Sequence, residues 1–173
     1  LLIKNFVTVA LLSLTAFTFT PVTATAEAAN VKTAKVVHKC AKQDTKENLL
    51  ACAIYAESRN QGKRGMYAVG NVVLNRKGDD YFPDNIKDIL FQRGQFSYRK
   101  KFNVTEAERW KEAKAIAKRL IYLDTNFPTL REAQDMTKGA TFFKKVKTRA
   151  HWTKDMVLVY RYKEHQFYSP TRS

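Results

Sequence analysis

Residues 49–76 read LLACAIYAESRNQGKRGMYAVGNVVLNR, and this stretch sets the fold class. Leu49, Leu50, Ala53, Ile54 and Ala56 recur at helical spacing. Just ahead of them, Asp44 and Glu47 have the three-residue spacing of a capping box, which would open the helix. Asn60-Gln61-Gly62 is a stop signal. The apolar period then resumes from about Gly65 to Asn75, with Met66, Val69, Val72 and Val73 on the inner face. Gly70 costs such a helix about 1 kcal/mol relative to alanine, so it is expected to permit a close contact. The middle of the chain therefore reads as two consecutive helices across a tight turn.

Toward the C-terminus, Asp79-Asp80 and Pro83 mark a loop, after which Asp84 caps a short helical turn through Ile86, Ile89 and Leu90. Thr105 and Glu108 form a second capping box, ahead of Trp110, Ala113, Ile116, Ala117, Leu120 and Ile121. Pro128 falls in the connection that follows. The composition then changes. Residues 140–143 and 156–160 are short β-type runs, with His151-Trp152 between them and residues 165–168 beyond. A mostly helical first part with a small β-containing tail is an α+β arrangement.

Toward the N-terminus, Lys4 precedes an apolar, threonine-rich run from Phe6 to Phe19, then Pro21 and Ala24-Thr25-Ala26. A positive start, a short apolar run and an A-x-A site read as a secretory signal over residues 1–26. The run is shorter than the ~20 residues a spanning helix needs, so no stable membrane span is expected after cleavage. Residues 27–44 read as a flexible basic lead-in and 45–173 as a single catalytic-sized domain. Export to the periplasm, envelope or medium follows. It also allows Cys40 and Cys52 to pair, closing a short loop; Cys52, between Ala51 and Ala53, is equally readable as a small buried residue.

The formal net charge of +15 points to a polyanionic partner. For an exported chain the polyanions at hand are the cell wall, with its carboxylates, and the phosphate-bearing polymers or lipids beside it, and charge does not choose between them; no common nucleic-acid motif is present, and a monomer is expected. With only His38, His151 and His165 and no H-E-x-x-H pattern, neither a metal nor a cofactor is expected.

Glu57 is the residue with the most chemical promise. It ends an otherwise apolar helix, where desolvation and the negative end of the helix dipole both favour a protonated carboxyl, as a general acid requires. A solvated glutamate paired with Arg59 is the plain alternative.

The blocks Ala53–Arg59, Ala68–Arg76, Gly94–Ser97 (GQFS), Ala140–Phe143, Trp152 and His165–Tyr168 occur in this order. The chain in this respect resembles the SleB/CwlJ family of cell-wall hydrolases, over roughly residues 49–168. The resemblance implies a lysozyme-like catalytic domain that cuts β-1,4 bonds between the two amino sugars of peptidoglycan glycan strands. It maps the catalytic glutamate onto Glu57. Ser58 stands where many members have alanine, and Lys163-Glu164 stands where they often have glycine-lysine.

Gln95 and Ser97 are then candidates for hydrogen bonds to the sugar, and Tyr98, Trp152, His165 and Tyr168 for sugar contacts. For the aromatic residues an ordinary core position is the commoner fate. Asn75 and Arg76 are expected to support the site structurally. Asp79, Asp80 and Asp84 are the nearest second carboxylates for a two-carboxylate mechanism. A lytic transglycosylase, in which the sugar's 6-hydroxyl attacks, needs none, and the resemblance favours it. The rivals are an N-acetylmuramoyl-L-alanine amidase and a non-catalytic basic envelope-binding protein.

Overall fold

The computed structural model describes residues 35–96 and 102–171. The expected signal segment, and Ser97 and Tyr98, lie outside the described residues. Strand β1 (His38–Cys40) is followed by α1 (Lys46–Ser58), α2 (Gly62–Lys77), α3 (Ile86–Phe91), β2 (Phe102–Val104), α4 (Ala107–Asn126) and α5 (Pro128–Ala133). Then come β3 (Phe142–Lys145), a 3-10 turn (His151–Asp155), β4 (Met156–Tyr162) and β5 (His165–Pro170). The α+β arrangement expected from the sequence is the one observed.

α1 is the central element: Leu49 to Tyr55 are all buried, so the helix is apolar on every side rather than amphipathic. It packs between α2 and α4, and its neighbours Met66, Val73, Trp110, Ala113, Ala117 and Leu120 complete the main core. Gly70 serves that packing. A Cβ there would collide with Leu120 and press on Ile54 at 3.1 Å, so the close contact is with side chains of two neighbouring helices. A smaller core joins α2 to the sheet through Ala68, Val72, Ala140 and Phe167.

The three expected caps are each displaced by one residue. Thr45, not Asp44, caps α1 by accepting from the Asn48 N–H. Asp44 is drawn instead to the Ala41 N–H and to His38 Nε2, both at 3.1 Å. Asn85, not Asp84, caps α3. Glu106, not Thr105, occupies the cap position of α4, and its carboxylate does not cap. It accepts from Arg59 Nε at 2.6 Å and from the Tyr55 hydroxyl at 3.3 Å. Tertiary partners outcompete the local pattern at both Asp44 and Glu106.

Two further differences concern segments read as irregular. Part of the lead-in is ordered: β1 pairs antiparallel with β2, and Cys40 is joined to Cys52 in α1 by a disulfide. His38 also stacks on Trp110, with ring centroids 4.5 Å apart. Pro128 does not simply break the chain; it is the first residue of α5, where its missing N–H costs nothing. The three-stranded sheet has the antiparallel order β3-β5-β4, which puts β5 in the middle.

Candidate active site

Glu57 is the penultimate residue of α1 and is half-buried. Ser58 beside it is fully buried, and its hydroxyl donates to the Ile54 carbonyl at 2.7 Å. The serine is accommodated because its hydroxyl is satisfied within the helix. Arg59, the alternative partner of Glu57, lies over the Tyr55 ring with its Nε engaged by Glu106. These contacts pin the end of α1 to the start of α4, and so fix the backbone that carries Glu57.

His165 faces this end of α1 from the first residue of β5. It is 2 % exposed, too buried to be the direct sugar contact expected of it. Phe143 and Phe167 meet its ring edge-on at 5.4 and 6.1 Å. Burial lowers its pKa below the usual 6.5; the Glu57 charge opposes that shift, Lys145 adds to it and Glu164 opposes it. The imidazole is thus near enough to feel the Glu57 charge, and burial favours its neutral form. Its Nδ1 has no hydrogen-bond partner among the described residues.

The turn that delivers His165 is held by a residue the sequence did not single out. Gln61 is 2 % exposed; its Nε2 donates to Glu164 Oε2 and its Oε1 accepts from the Glu164 N–H, both at 3.3 Å. Gly65 leaves the room: a Cβ there would collide with the Gln61 side chain. Lys163 has φ 47°, the left-handed conformation that glycine favours. No local signal marks Gln61, since a glutamine in a turn is expected to face water.

Asn75 and Arg76 sit at the opposite end of α2 from Glu57. Asn75 Nδ2 donates to Asp135 at 2.8 Å and to the Ala140 carbonyl at 3.1 Å, and its Oδ1 accepts from Arg131. Arg76 donates to the Thr141 carbonyl at 2.6 Å and lies against Phe82, Phe96 and Phe142, 4.9 to 5.5 Å from their centroids. Burial lowers its pKa to about 10. Together they brace the entry to β3, and so support the sheet rather than the acid itself.

Tyr168 is also buried, with Trp152 edge-on at 5.3 Å and its hydroxyl directed to Gln166, so it is a packing residue rather than an open sugar platform. Trp152 is half-buried on the 3-10 turn. Gln95 lines a cleft of about 680 Å³ between the Gly78–Phe82 loop and the Phe142, Met156 and Pro170 edge of the sheet. Asp79 and Asp80 border the same cleft. Both follow α2 directly, whereas Glu57 precedes it; a 16-residue helix rises roughly 24 Å. These aspartates are therefore at the wrong end of the helix to assist Glu57. Asp84 lies in a separate surface depression with Lys46 and Lys77.

His38, Cys40 and Cys52 bring potential ligand atoms within 4.8 Å of one another, but both sulfurs are joined in the disulfide. No helix among the described residues is long and apolar enough to cross a membrane.

The chain is 29% identical over 100 residues to a spore cortex-lytic enzyme of Halalkalibacterium halodurans, covering 58% of this chain and 27% of that protein. It is 37% identical over 49 residues to one of Oceanobacillus iheyensis, covering 28% of this chain and 18% of the relative. It thus spans about a quarter or less of the curated relatives it matches. Two solved structures share the fold. The SleB catalytic domain of Bacillus cereus aligns with TM-score 0.54 and 23% identity, over 72% of this chain and 89% of that one. The catalytic domain of the germination-specific lytic transglycosylase SleB of Bacillus anthracis aligns with TM-score 0.55 and 21% identity, over 75% and 100%. The model of the Cell Wall Hydrolase family matches residues 60–168, beginning three residues after Glu57. With well over half of its length matched, the chain belongs to the Cell Wall Hydrolase family.

Proposed function

We propose that this protein is an exported enzyme that cleaves the β-1,4 bond between the amino sugars of peptidoglycan glycan strands, with Glu57 as general acid and base. The observation that carries this reading is the setting of Glu57: a half-buried carboxyl on the last turn of an apolar helix, within electrostatic reach of the buried His165 imidazole. Family membership supplies the wall as substrate; the glycan bond is argued from Glu57.

The lytic transglycosylase route fits the carboxylates best. Two-carboxylate glycosidases hold their pair about 5 to 9.5 Å apart. Asp79 and Asp80 stand beyond the far end of α2. At the near end, Glu106 is engaged by Arg59 and Tyr55, and Glu164 by Gln61. In the one-carboxylate route Glu57 donates its proton to the bridging oxygen as the bond to the anomeric carbon breaks. The sugar's own 6-hydroxyl oxygen then bonds to that carbon, and its proton passes to the Glu57 carboxylate. No water is consumed, and Glu57 ends as it began.

Mass spectrometry of muropeptides released from purified wall tests the bond and the route together. New 1,6-anhydro ends are expected. New reducing ends would instead indicate hydrolysis of the same bond, and free alanine amines with intact glycan would identify an amidase.

A further inference from the structure

A basic, aromatic surface lies beside the end of α1 that carries Glu57. Tyr160 and Tyr162 stand two residues apart on β4 and so share one face of the sheet. Their rings are parallel to within 3°, with centroids 6.5 Å apart. Tyr162 pairs across the sheet with His165, the residue within reach of the Glu57 charge. From α2, the Arg64 guanidinium lies over both rings, 6.0 Å from the Tyr160 centroid and 5.8 Å from that of Tyr162. The Lys163 ammonium is 5.7 Å from the Tyr162 centroid.

Neither cation has an acid to neutralise it among the described residues: Arg64 and Lys163 form no ion pair there. Outside those residues the sequence holds a single acid, Glu27. Glu164, next to Lys163, already accepts from Gln61. The helix does not reward Arg64 either, because in the first turn of α2 a cation faces the positive end of the helix dipole. The two rings hold it there instead. A guanidinium held over a ring keeps N–H donors for a planar oxyanion, which it can take by two parallel hydrogen bonds.

Carboxylate and phosphate share this chemistry, and position decides between them. The proposed substrate must pass the Glu57 end of α1, and its stem peptides carry free carboxylates. We infer that Arg64 and Lys163, seated on the Tyr160–Tyr162 pair, form a subsite for a free stem-peptide carboxylate of the strand being cut. The subsite holds a peptide-bearing sugar beside the acid and disfavours strands stripped of their peptides. This rests on the proposed glycan substrate, but it is tested by binding and not by cleavage.

The probe is N-acetylmuramyl tripeptide, whose single sugar offers no bond between sugars to cut, titrated into the full chain by calorimetry and two-dimensional NMR. A second probe has its carboxyl groups converted to methylamides, and a glycerol phosphate oligomer is the third. The charged probe should bind saturably, perturb Tyr160 and Tyr162, and outbind the amidated one about fivefold, the scale of an exposed ion pair. Arg64→Gln should erase that advantage and leave the amidated probe unaffected, with no fall in melting temperature. Arg64→Lys should keep part of it. Lys163→Gly removes the other cation and relaxes the left-handed backbone, so it should weaken the charged probe without destabilising the fold. No binding of the charged probe, a loss in Arg64→Gln shared equally by both muramyl probes, or tighter binding of the glycerol phosphate oligomer would each overturn the assignment. Arg64-dependent binding by a protein that releases no glycan fragments would leave the subsite standing and remove the proposed activity. Anhydro products with binding indifferent to Arg64 would do the reverse.

Discussion

Gln61 and Glu164 hold each other twice, side chain to side chain and side chain to backbone, across 103 residues of sequence. This double contact ties the junction of α1 and α2, just after Glu57, to the β4–β5 turn, just before His165. Gln61→Ala removes two part-buried hydrogen bonds to Glu164, each contributing about 0.5–1.5 kcal/mol. Thermal unfolding should show that loss, and kcat on wall fragments should fall more than KM rises. Gln61→Glu should not rescue it, because a second carboxylate would then face Glu164.

A pH dependence follows from His165. Its folded pKa is lowered, chiefly by burial, so the unfolded chain binds the proton more readily. The associated stability is fully present above the unfolded value of about 6.5 and is lost as the pH falls below it, toward the lowered folded value. One such histidine contributes a slope of at most about 1.4 kcal/mol per pH unit. Melting temperatures measured between pH 7.5 and 5 should decline, and His165→Gln should flatten the decline. An unchanged slope in that variant would assign the acid sensitivity elsewhere.

The disulfide joins residues 12 apart and fastens β1 to the buried α1. Closing so short a loop contributes roughly 3 kcal/mol in the chain-entropy picture. The double variant Cys40→Ala, Cys52→Ala should lose about that much in denaturant unfolding, and a reductant should lower the melting point of the parent but not of the variant.

Gly70 sets two effects of opposite sign against each other. Alanine would gain about 1 kcal/mol of helix propensity. It would also drive a methyl group into Leu120 and Ile54 in a packed core, where overpacking costs about 1–3 kcal/mol. The steric cost should win, so Gly70→Ala is expected to be net destabilising by chemical denaturation. Paired with Leu120→Ala it should cost less than the sum of the two changes.

The helices were legible in the sequence because α1, α2 and α4 are long and their apolar residues recur at one period, which tertiary context only reinforces. Their caps were not, because Asp44 and Glu106 meet distant partners that a local pattern does not contain. α5 was hidden behind a proline, a residue that starts helices as readily as it ends them. Strand β1 draws its order from a partner more than sixty residues away. In the site, Glu57 can be picked out because it follows directly on the apolar run of α1 from Leu49 to Ala56. Gln61 cannot, for its burial depends on Gly65 and Glu164. For Tyr168 and His165 residue type allows both a sugar contact and a core position, and the fold buries both rings.

The role of Glu57 is tested most directly by Glu57→Gln, an isosteric change that removes the transferable proton. Turnover of purified wall should be measured on a variant whose circular dichroism and melting temperature match the parent's. Loss of general acid–base catalysis should lower the rate by about a hundredfold to ten-thousandfold, with wall binding retained. A folded Glu57→Gln protein that still releases fragments within a few-fold of the parental rate would contradict the assignment.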